Sequence, residues 1–310
     1  MRIISSPTLC VITFLACVPD AALAQTKAVG STEGDDLPTI LAVIKSRAAN
    51  FASFDAEWRG TQKATHQFIS GKSAEQLKQI GIAVDKYVDF PVEGRFVRDN
   101  KGRIRIEYLN SCLAKSSVLV KTKKSIEIYD GKKSTQFFSE GQLDYPFASI
   151  TNDRPDLITR KSVLLPLRII LCPFADEYGV LPSDPSAFTL AVEIVNNVAC
   201  ARLATKDHVV WLSMRDQYLP VRHHYVNDGR ILIGFEYTLD RAKPAGFPIR
   251  SWKQTTFDAK GKVESEIDAV ITRFTPEPSF ADNQFQIVFP SGTWVSDQTR
   301  NEKYLVKPDG

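Results

Sequence analysis

The chain has 310 residues and a formal net charge of +3, from 39 Lys and Arg against 36 Asp and Glu. Hydrophobic residues make up 43% of the chain and aromatic residues 10%. This composition excludes an intrinsically disordered chain, which has few aromatic residues and a large net charge. The small net charge gives no indication of nucleic-acid binding, and the length is sufficient for a sizeable hydrophobic core.

The N-terminal residues have the features of a secretory signal peptide. Arg2 supplies the positive n-region, and residues 9–18 are apolar apart from one threonine. Ala22 and Ala24 are small residues at the two positions that a signal peptidase reads. We therefore predict a signal peptide over residues 1–24 and an exported, periplasmic mature protein.

Export has consequences for the cysteines. Cys17 offers an alternative, lipid-modified N-terminus, while the mature chain keeps Cys112, Cys172 and Cys200. An odd number of cysteines in an oxidising compartment favours one disulfide and one remaining thiol. The sequence does not fix the pairing, although Cys172 with Cys200 closes the shortest loop. No later stretch reaches the roughly 18 apolar residues that a membrane helix needs.

The mature chain begins with a predicted linker, residues 25–36, followed by a helix. Asp36 is a suitable N-cap, and Pro38 lies in the first turn, where its missing amide hydrogen costs nothing. The apolar residues of this helix recur at intervals of three and four. They are Ile40, Leu41, Ile44, Ala48 and Phe51. A second short helix is predicted over residues 73–80, where Ser73 and Gln76 have capping-box spacing.

The pattern then changes to a period of two, which is typical of strands. In the first half, predicted strands cover residues 92–97, 103–108, 117–121, 125–129 and 135–138. Gly131, in the turn after Tyr129, supplies the positive φ that a tight hairpin turn needs. Residues 151–185 form a predicted helical insert, in which Pro166 should end or kink any helix.

Strands resume after the insert and continue to the C-terminal region. They are predicted over residues 188–195, 198–204, 209–214, 221–226, 231–238, 251–257 and 263–274. The sequence thus predicts about 11–12 antiparallel strands in two meanders within one domain, residues 37–306. A sheet of this size curls strongly or closes, because open twisted sheets rarely exceed about ten strands.

Three segments carry a family resemblance. Residues 210–237 read VWLSMRDQYLPVRHHYVNDGRILIGFEY, residues 127–138 read EIYDGKKSTQFF, and residues 274–297 read FTPEPSFADNQFQIVFPSGTWVSD. Their order and spacing resemble those of LolA-like and LolB-like periplasmic lipoprotein carriers, with a tail similar to that of large exported planctomycete LolA-like proteins. The resemblance implies a half-open antiparallel β-barrel covered by helices, whose apolar cavity holds acyl chains. Proteins of this broad kind also include stress-signalling sensors.

Such a cavity would be lined by aromatic side chains on the strands. The candidate ligand-binding residues are Trp211, Phe235, Tyr237, Trp252, Phe137 and Tyr225. Burial of an acyl chain gains about 0.8 kcal/mol per methylene group, so a roomy apolar interior needs no charged anchor. The alternative is that these rings simply fill a core between sheet and helices.

Catalytic chemistry has little support in the sequence. His223 and His224 are adjacent in a predicted strand and should point to opposite faces, so they cannot readily share a metal. Asp55 and Glu57 could suggest paired glycosidase carboxylates, but acidic residues at a strand start are ordinarily solvated. No metalloprotease, P-loop or serine-hydrolase motif occurs. We therefore predict no enzyme activity, catalytic residue, metal site or cofactor.

Three hypotheses remain open at this stage. The first is a carrier or sensor that holds an acyl chain or a lipidated protein. The second is a cell-envelope protein–protein interaction module with a filled core and no ligand. The third is a hydrolase with an unrecognised active site, and the sequence does not indicate its substrate. The ligand, the protein partner and the oligomeric state are not fixed by the sequence.

Overall fold

A computed structural model describes most of the chain beyond its N-terminal region. The described ranges are residues 35–70, 72–113, 120–139, 145–152, 164–174, 180–241 and 247–308. The predicted signal peptide and all but the last two residues of the predicted linker lie outside them. Within these ranges, no helix has both the length and the apolar character needed to cross a membrane.

The described residues contain fifteen strands and four α-helices. The helices are α1 (Leu37–Ala49), α2 (His66–Ser70), α3 (Ala74–Gln79) and α4 (Leu165–Leu171). The strands of the first half are β1 (Phe54–Thr65), β2 (Tyr87–Arg98), β3 (Ile104–Leu113), β4 (Val120–Tyr129), β5 (Ser134–Phe138) and β6 (Phe147–Thr151). Those of the second half are β7 (Thr189–Val195), β8 (Val198–Ala204), β9 (His208–Ser213), β10 (Leu219–Asn227), β11 (Arg230–Leu239), β12 (Ile249–Phe257), β13 (Val263–Pro276), β14 (Trp294–Asp297) and β15 (Glu302–Leu305).

All fifteen strands belong to one sheet, in the order β15-β14-β6-β5-β4-β3-β2-β1-β13-β12-β11-β10-β9-β8-β7. Two antiparallel meanders, β1 to β6 and β7 to β13, join where β13 pairs with β1. The predicted antiparallel, unclosed sheet is confirmed, but it has more strands than the 11–12 expected. One pair departs from the pattern, because β14 runs parallel to β6.

The predicted helix caps are present. The side chain of Asp36 accepts a hydrogen bond from the Thr39 amide at 2.9 Å, and α1 begins at Leu37. Ser73 and Gln76 form the expected capping box of α3, each accepting a hydrogen bond from the other's backbone amide. Both helices therefore begin where local side-chain chemistry satisfies amides that have no partner within the helix.

Two local predictions were wrong. Pro166 lies in the first turn of α4 rather than ending or kinking it, a position where proline removes no helical hydrogen bond. Residues 120–129 form one continuous strand, β4, and not two separate strands, because β3 pairs with its whole length.

The two faces of the sheet have different cover. On the face that we call the helix face, residues such as Phe54, Phe96 and Ile106 share the main core cluster with Ile44 of α1 and Leu167 of α4. On the opposite, outer face, the sheet between β1 and β6 is crossed by the C-terminal tail, residues 277–308. The sheet thus buries apolar side chains on both faces.

The tail is held to the outer face by apolar and polar contacts. Phe285 packs with Val97 and Ile128, and the Arg103 guanidinium lies 4.4 Å from the centre of the Phe285 ring. The Arg105 guanidinium donates a hydrogen bond to the carbonyl oxygen of Gln284 at 2.9 Å. These contacts carry the chain across the sheet, where β14 adds to the edge at β6.

Cys172 and Cys200, the two cysteines whose pairing would close the shortest loop, do not form a disulfide. Cys172 is buried in the helix-face core and Cys200 in a separate outer-face cluster, and the two thiols are not bonded to each other. Burial raises the pKa of the Cys200 thiol to about 11, so it stays protonated at neutral pH. The side chain of Cys112 lies outside the described part of the chain.

Candidate functional site

Four of the six predicted ligand-binding residues share the helix face. Phe235 and Tyr237 lie on β11, with Trp252 directly opposite Tyr237 on β12 and Tyr225 on β10. The Phe235 and Tyr237 rings stack with their centres 6.4 Å apart. Phe235, Tyr237 and Trp252 are buried, whereas Tyr225 is half-buried. The alternation of side chains along each strand places these rings together.

Trp58, which the sequence analysis did not single out, completes this surface. It lies on β1 with its ring centre 6.3 Å from that of Trp252, across the junction of the two meanders. Its ring covers Gly94, its direct partner on β2, where an added Cβ would be 2.1 Å from the ring atom Cζ2. A glycine within a predicted strand was the available signal, since it marks a close approach of another group. We call Trp58, Phe235, Tyr237 and Trp252 the aromatic wall.

Trp211 does not belong to the aromatic wall. Its neighbours in β9, Val210 and Leu212, pack into the helix-face core, so Trp211 points to the outer face. There its Nε1 donates a hydrogen bond to Glu193 Oε2 at 2.7 Å. The guanidinium of Arg202 lies 5.8 Å from the Trp211 ring centre. The expectation that Trp211 lines the interior does not match this placement.

Phe137 is also on the outer face, at the opposite end of the sheet. It belongs to a small cluster with Ala148 and Val295, and its ring centre lies 6.3 Å from that of Phe289 in the tail. The tail thus covers a side chain that a shorter chain would leave exposed. Phe137 and Trp211 are therefore not part of the candidate site.

Buried polar atoms interrupt the apolar surface of the wall. The Tyr237 hydroxyl, Trp252 Nε1, Gln254 Oε1 and His223 Nδ1 have no hydrogen-bond partner among the described residues. They lie on the three neighbouring strands β10, β11 and β12, on the same face. A buried polar group without a partner costs about 1–3 kcal/mol of stability. These four atoms, which we call the polar strip, therefore destabilise the ligand-free fold. Burial also raises the pKa of Tyr237 well above its usual value.

A histidine pair lies beside this strip. His208 Nδ1 and His223 Nε2 are 3.0 Å apart, and the His223 ring stacks on Phe235. Burial lowers the pKa of His208 to about 4 and that of His223 well below its usual value. Both rings are therefore neutral at pH 7, with one nitrogen donating and the other accepting. His208 comes from β9 and was missed because its proximity depends on the pairing of β9 with β10.

The arrangement around these histidines does not suggest a metal site. His223 is on the helix face and His224 on the outer face, as predicted from their adjacency. Among the described residues, no group of three His, Cys, Asp or Glu side chains could hold a metal ion.

The acidic pair at the start of β1 is part of an ion-pair network. Asp55 is buried and accepts two hydrogen bonds from Arg95, at 2.8 and 2.7 Å, and one from Arg273 at 2.9 Å. Arg273 also binds Glu57. Asp55 is therefore not the ordinary solvated residue expected from the sequence. Its carboxylate oxygens are fully engaged in holding β1, β2 and β13 together.

A second concave feature lies on the outer face, and we call it the outer groove. It has a volume of about 880 Å³ and runs from the β7–β8 turn across β10 to β13, β1 and β2. Apolar side chains from Val195, Val198 and Val221 form one side. Charged residues of both signs are also part of its lining. They are Arg59, Glu93, Glu236, Arg241, Lys253 and Asp268.

Comparison with known proteins gives similarities of fold only. No protein-family model matches the chain, and no curated protein matches it. A solved LolA superfamily protein from Nitrosomonas europaea is 8% identical, with 82% of this chain and 99% of that chain covered and a TM-score of 0.45. A putative outer membrane lipoprotein-sorting protein domain from Vibrio parahaemolyticus is 9% identical, with coverages of 81% and 97% and a TM-score of 0.42.

Proposed function

We propose that this protein is an exported, non-enzymatic binding protein that holds an acyl chain or a similar hydrophobic ligand between the helices and the helix face of the sheet. The observation that supports this most is the strip of four buried polar atoms, in and beside the aromatic wall, that have no hydrogen-bond partner among the described residues. A ligand with an apolar body and a polar head would pack against the rings and supply hydrogen-bond partners. The signal peptide predicted from the sequence supports export.

The energetics favour an amphipathic ligand over a purely apolar one. Each buried methylene group contributes about 0.8 kcal/mol, and each polar atom that gains a partner recovers part of a cost of about 1–3 kcal/mol. The helix α4, which has seven residues, belongs to the same core cluster as the wall. A helix this short has little stability of its own and depends on its packing, so it is an element that could move to admit a ligand.

Ligand binding is tested with the full chain expressed in exported form. Native mass spectrometry and solvent extraction would identify acyl species that co-purify, and titration with cis-parinaric acid would measure affinity for a fatty-acyl probe. Trp252→Ala should weaken probe binding about tenfold or more, because the lost aromatic contact and buried area are worth about 1.5 kcal/mol or more. Trp211→Ala, on the outer face, is the matched control and should leave the affinity unchanged.

The polar strip is tested separately with Tyr237→Phe, which removes one hydroxyl and keeps the ring. If a ligand head binds that hydroxyl, the affinity for the probe falls while the ligand-free protein becomes more stable to heat. A ligand-free protein that binds no probe, with Trp252→Ala and Trp211→Ala indistinguishable in titration, would contradict the proposal.

The alternative function is a protein–protein interaction module with a filled interior. It is favoured by the outer groove, whose apolar side and mixed charges suit a polypeptide better than a lipid tail. The same titration separates the two functions. An interaction module would carry no acyl species, and Trp252→Ala would lower its stability without affecting any probe binding.

A further inference from the structure

Strand β7 forms an edge of the sheet with an exposed apolar pattern. Its sequence is TLAVEIV, and β8 is the one strand that pairs with it among the described residues. Leu190 and Ile194 expose 38% and 39% of their surfaces, and Val192 lies between them. Edge strands usually carry lysine, proline or a bulge that discourages pairing with another strand, and β7 has none of these.

The backbone of β7 is oriented to accept another strand. The β7–β8 turn consists of Asn196 and Asn197, with φ of 49° and 62°, so Val195 and Val198 flank a two-residue turn. In such a turn the flanking pair exchanges hydrogen bonds, and the direction of the backbone groups alternates along the strand. The amide and carbonyl groups of residues 190, 192 and 194 therefore point away from β8.

The sequence of β7 is compatible with its own antiparallel copy. About a two-fold axis at Val192, Leu190 of one copy lies opposite Ile194 of the other, so the two exposed apolar residues meet. Glu193 lies opposite Ala191, and no like charges face each other. On the outer face, the Glu193 carboxylate accepts a hydrogen bond from Trp211 Nε1 at 2.7 Å and forms an ion pair with Arg202 at 3.4 Å. This charge is therefore already compensated and does not discourage another strand from pairing with β7.

We infer that two copies of this chain pair through β7, antiparallel and centred on Val192, so that the sheet continues from one copy into the other. Each outward-facing pair exchanges both of its backbone hydrogen bonds, and Leu190 packs against Ile194 of the second copy. A seven-residue strand pair buries less surface than the roughly 1,200–2,000 Å² of a standard interface. The dimer therefore dissociates on dilution.

Sedimentation velocity over a concentration series tests the association. The full mature chain should show a dimer whose fraction rises with concentration. Ile194→Lys should abolish it, because it places two lysines in the paired edges. Leu305→Lys makes the same change at an exposed residue of β15, on the other edge, and should leave the dimer intact. Thermal unfolding of each variant checks that the fold is retained.

Disulfide trapping tests the register. In a hydrogen-bonded antiparallel pair the Cα atoms are about 5.5 Å apart, within the range of a disulfide, whereas diagonal positions lie about 7–8 Å apart. Val192→Cys should therefore give a covalent dimer under mild oxidation, and Ala191→Cys should not, with the parent chain as the control for native cysteines. A chain that stays monomeric at every concentration, a dimer unaffected by Ile194→Lys, or trapping through position 191 rather than 192 would each overturn the inference.

Discussion

The contact between Trp58 and Gly94 makes a sharp test of how the aromatic wall is built. A methyl group added at Gly94 would lie 2.1 Å from the Trp58 ring, far inside van der Waals contact. Gly94 does not have a positive φ, so alanine is not excluded by backbone conformation. The Gly94→Ala variant therefore isolates one effect, the displacement of the Trp58 ring.

The loss of stability expected from Gly94→Ala can be compared with that of a matched control variant. Overpacking of a tight contact lowers the free energy of unfolding by about 1–3 kcal/mol. Replacing glycine by alanine raises it by about 0.4–1 kcal/mol, because alanine reduces the conformational entropy of the unfolded chain. We expect Gly94→Ala to lower the free energy of unfolding by about 1–2 kcal/mol. At Gly234, also within a strand, an added Cβ meets the His224 ring at 3.5 Å, an ordinary contact. Gly234→Ala should therefore be neutral or slightly stabilising.

Urea denaturation and thermal unfolding of both variants measure the difference. A loss of 1–2 kcal/mol corresponds to a fall in Tm of roughly 2–8 °C for a domain of this size. Trp58→Phe should cost less in the Gly94→Ala background than in the parent, because the smaller ring leaves room for the methyl group. If Gly94→Ala and Gly234→Ala have the same stability, the Trp58 ring is not held against Gly94 and the account of the wall is wrong.

Other predictions concern pH and buried contacts. Burial raises the pKa of Glu127 from 4.5 to about 7, so its ionisation destabilises the fold as pH rises from 4.5 to 7. At pH 8 the free energy of unfolding of Glu127→Gln should therefore exceed that of the parent by up to about 3 kcal/mol, as measured by urea denaturation. Burial lowers the pKa of His208 from 6.5 to about 4, so stability is lost as pH falls from 6.5 to 4, and His208→Gln should flatten that part of a plot of Tm against pH. Asp55→Asn should lower the free energy of unfolding by about 2–4 kcal/mol, because its carboxylate is buried between Arg95 and Arg273. This loss should depend little on salt concentration, and a salt-sensitive loss would show that the ion-pair network is solvated.

The parts of the fold that depend on local chemistry could be predicted. The strands predicted over residues 188–195 and 198–204 leave Asn196 and Asn197 between them, and both adopt the positive φ that a tight turn needs. The strand expected over residues 231–238 occurs as β11, Arg230–Leu239. Caps, tight turns and alternation each act within a few residues, so the printed sequence contains the whole signal.

The parts that depend on distant contacts could not be predicted. β14 has four residues, and its parallel pairing with β6 is made by segments far apart in the chain, for which no local pattern exists. The prediction of side-chain directions in β9 was wrong for another reason. The sequence HVVWLS is apolar at nearly every position, so alternation cannot tell which residues face the core, and Trp211 was assigned to the wrong face. In β12, polar residues on either side of Trp252 made its direction clear.

The aromatic wall extends across the β1–β13 pairing, which joins the two meanders, and this links the stability of the fold to ligand binding. Trp58 comes from the first meander and Trp252 from the second, and they meet because β1 pairs with β13. A change at Gly94 should therefore lower stability and also weaken binding of cis-parinaric acid, because it moves one ring of the wall. Phe285→Ala, in the part of the tail that packs on the outer face, should cost a comparable or larger amount of stability, about 3 kcal/mol, yet leave probe affinity unchanged. Equal losses of affinity in the two variants would show that binding follows global stability and not the wall.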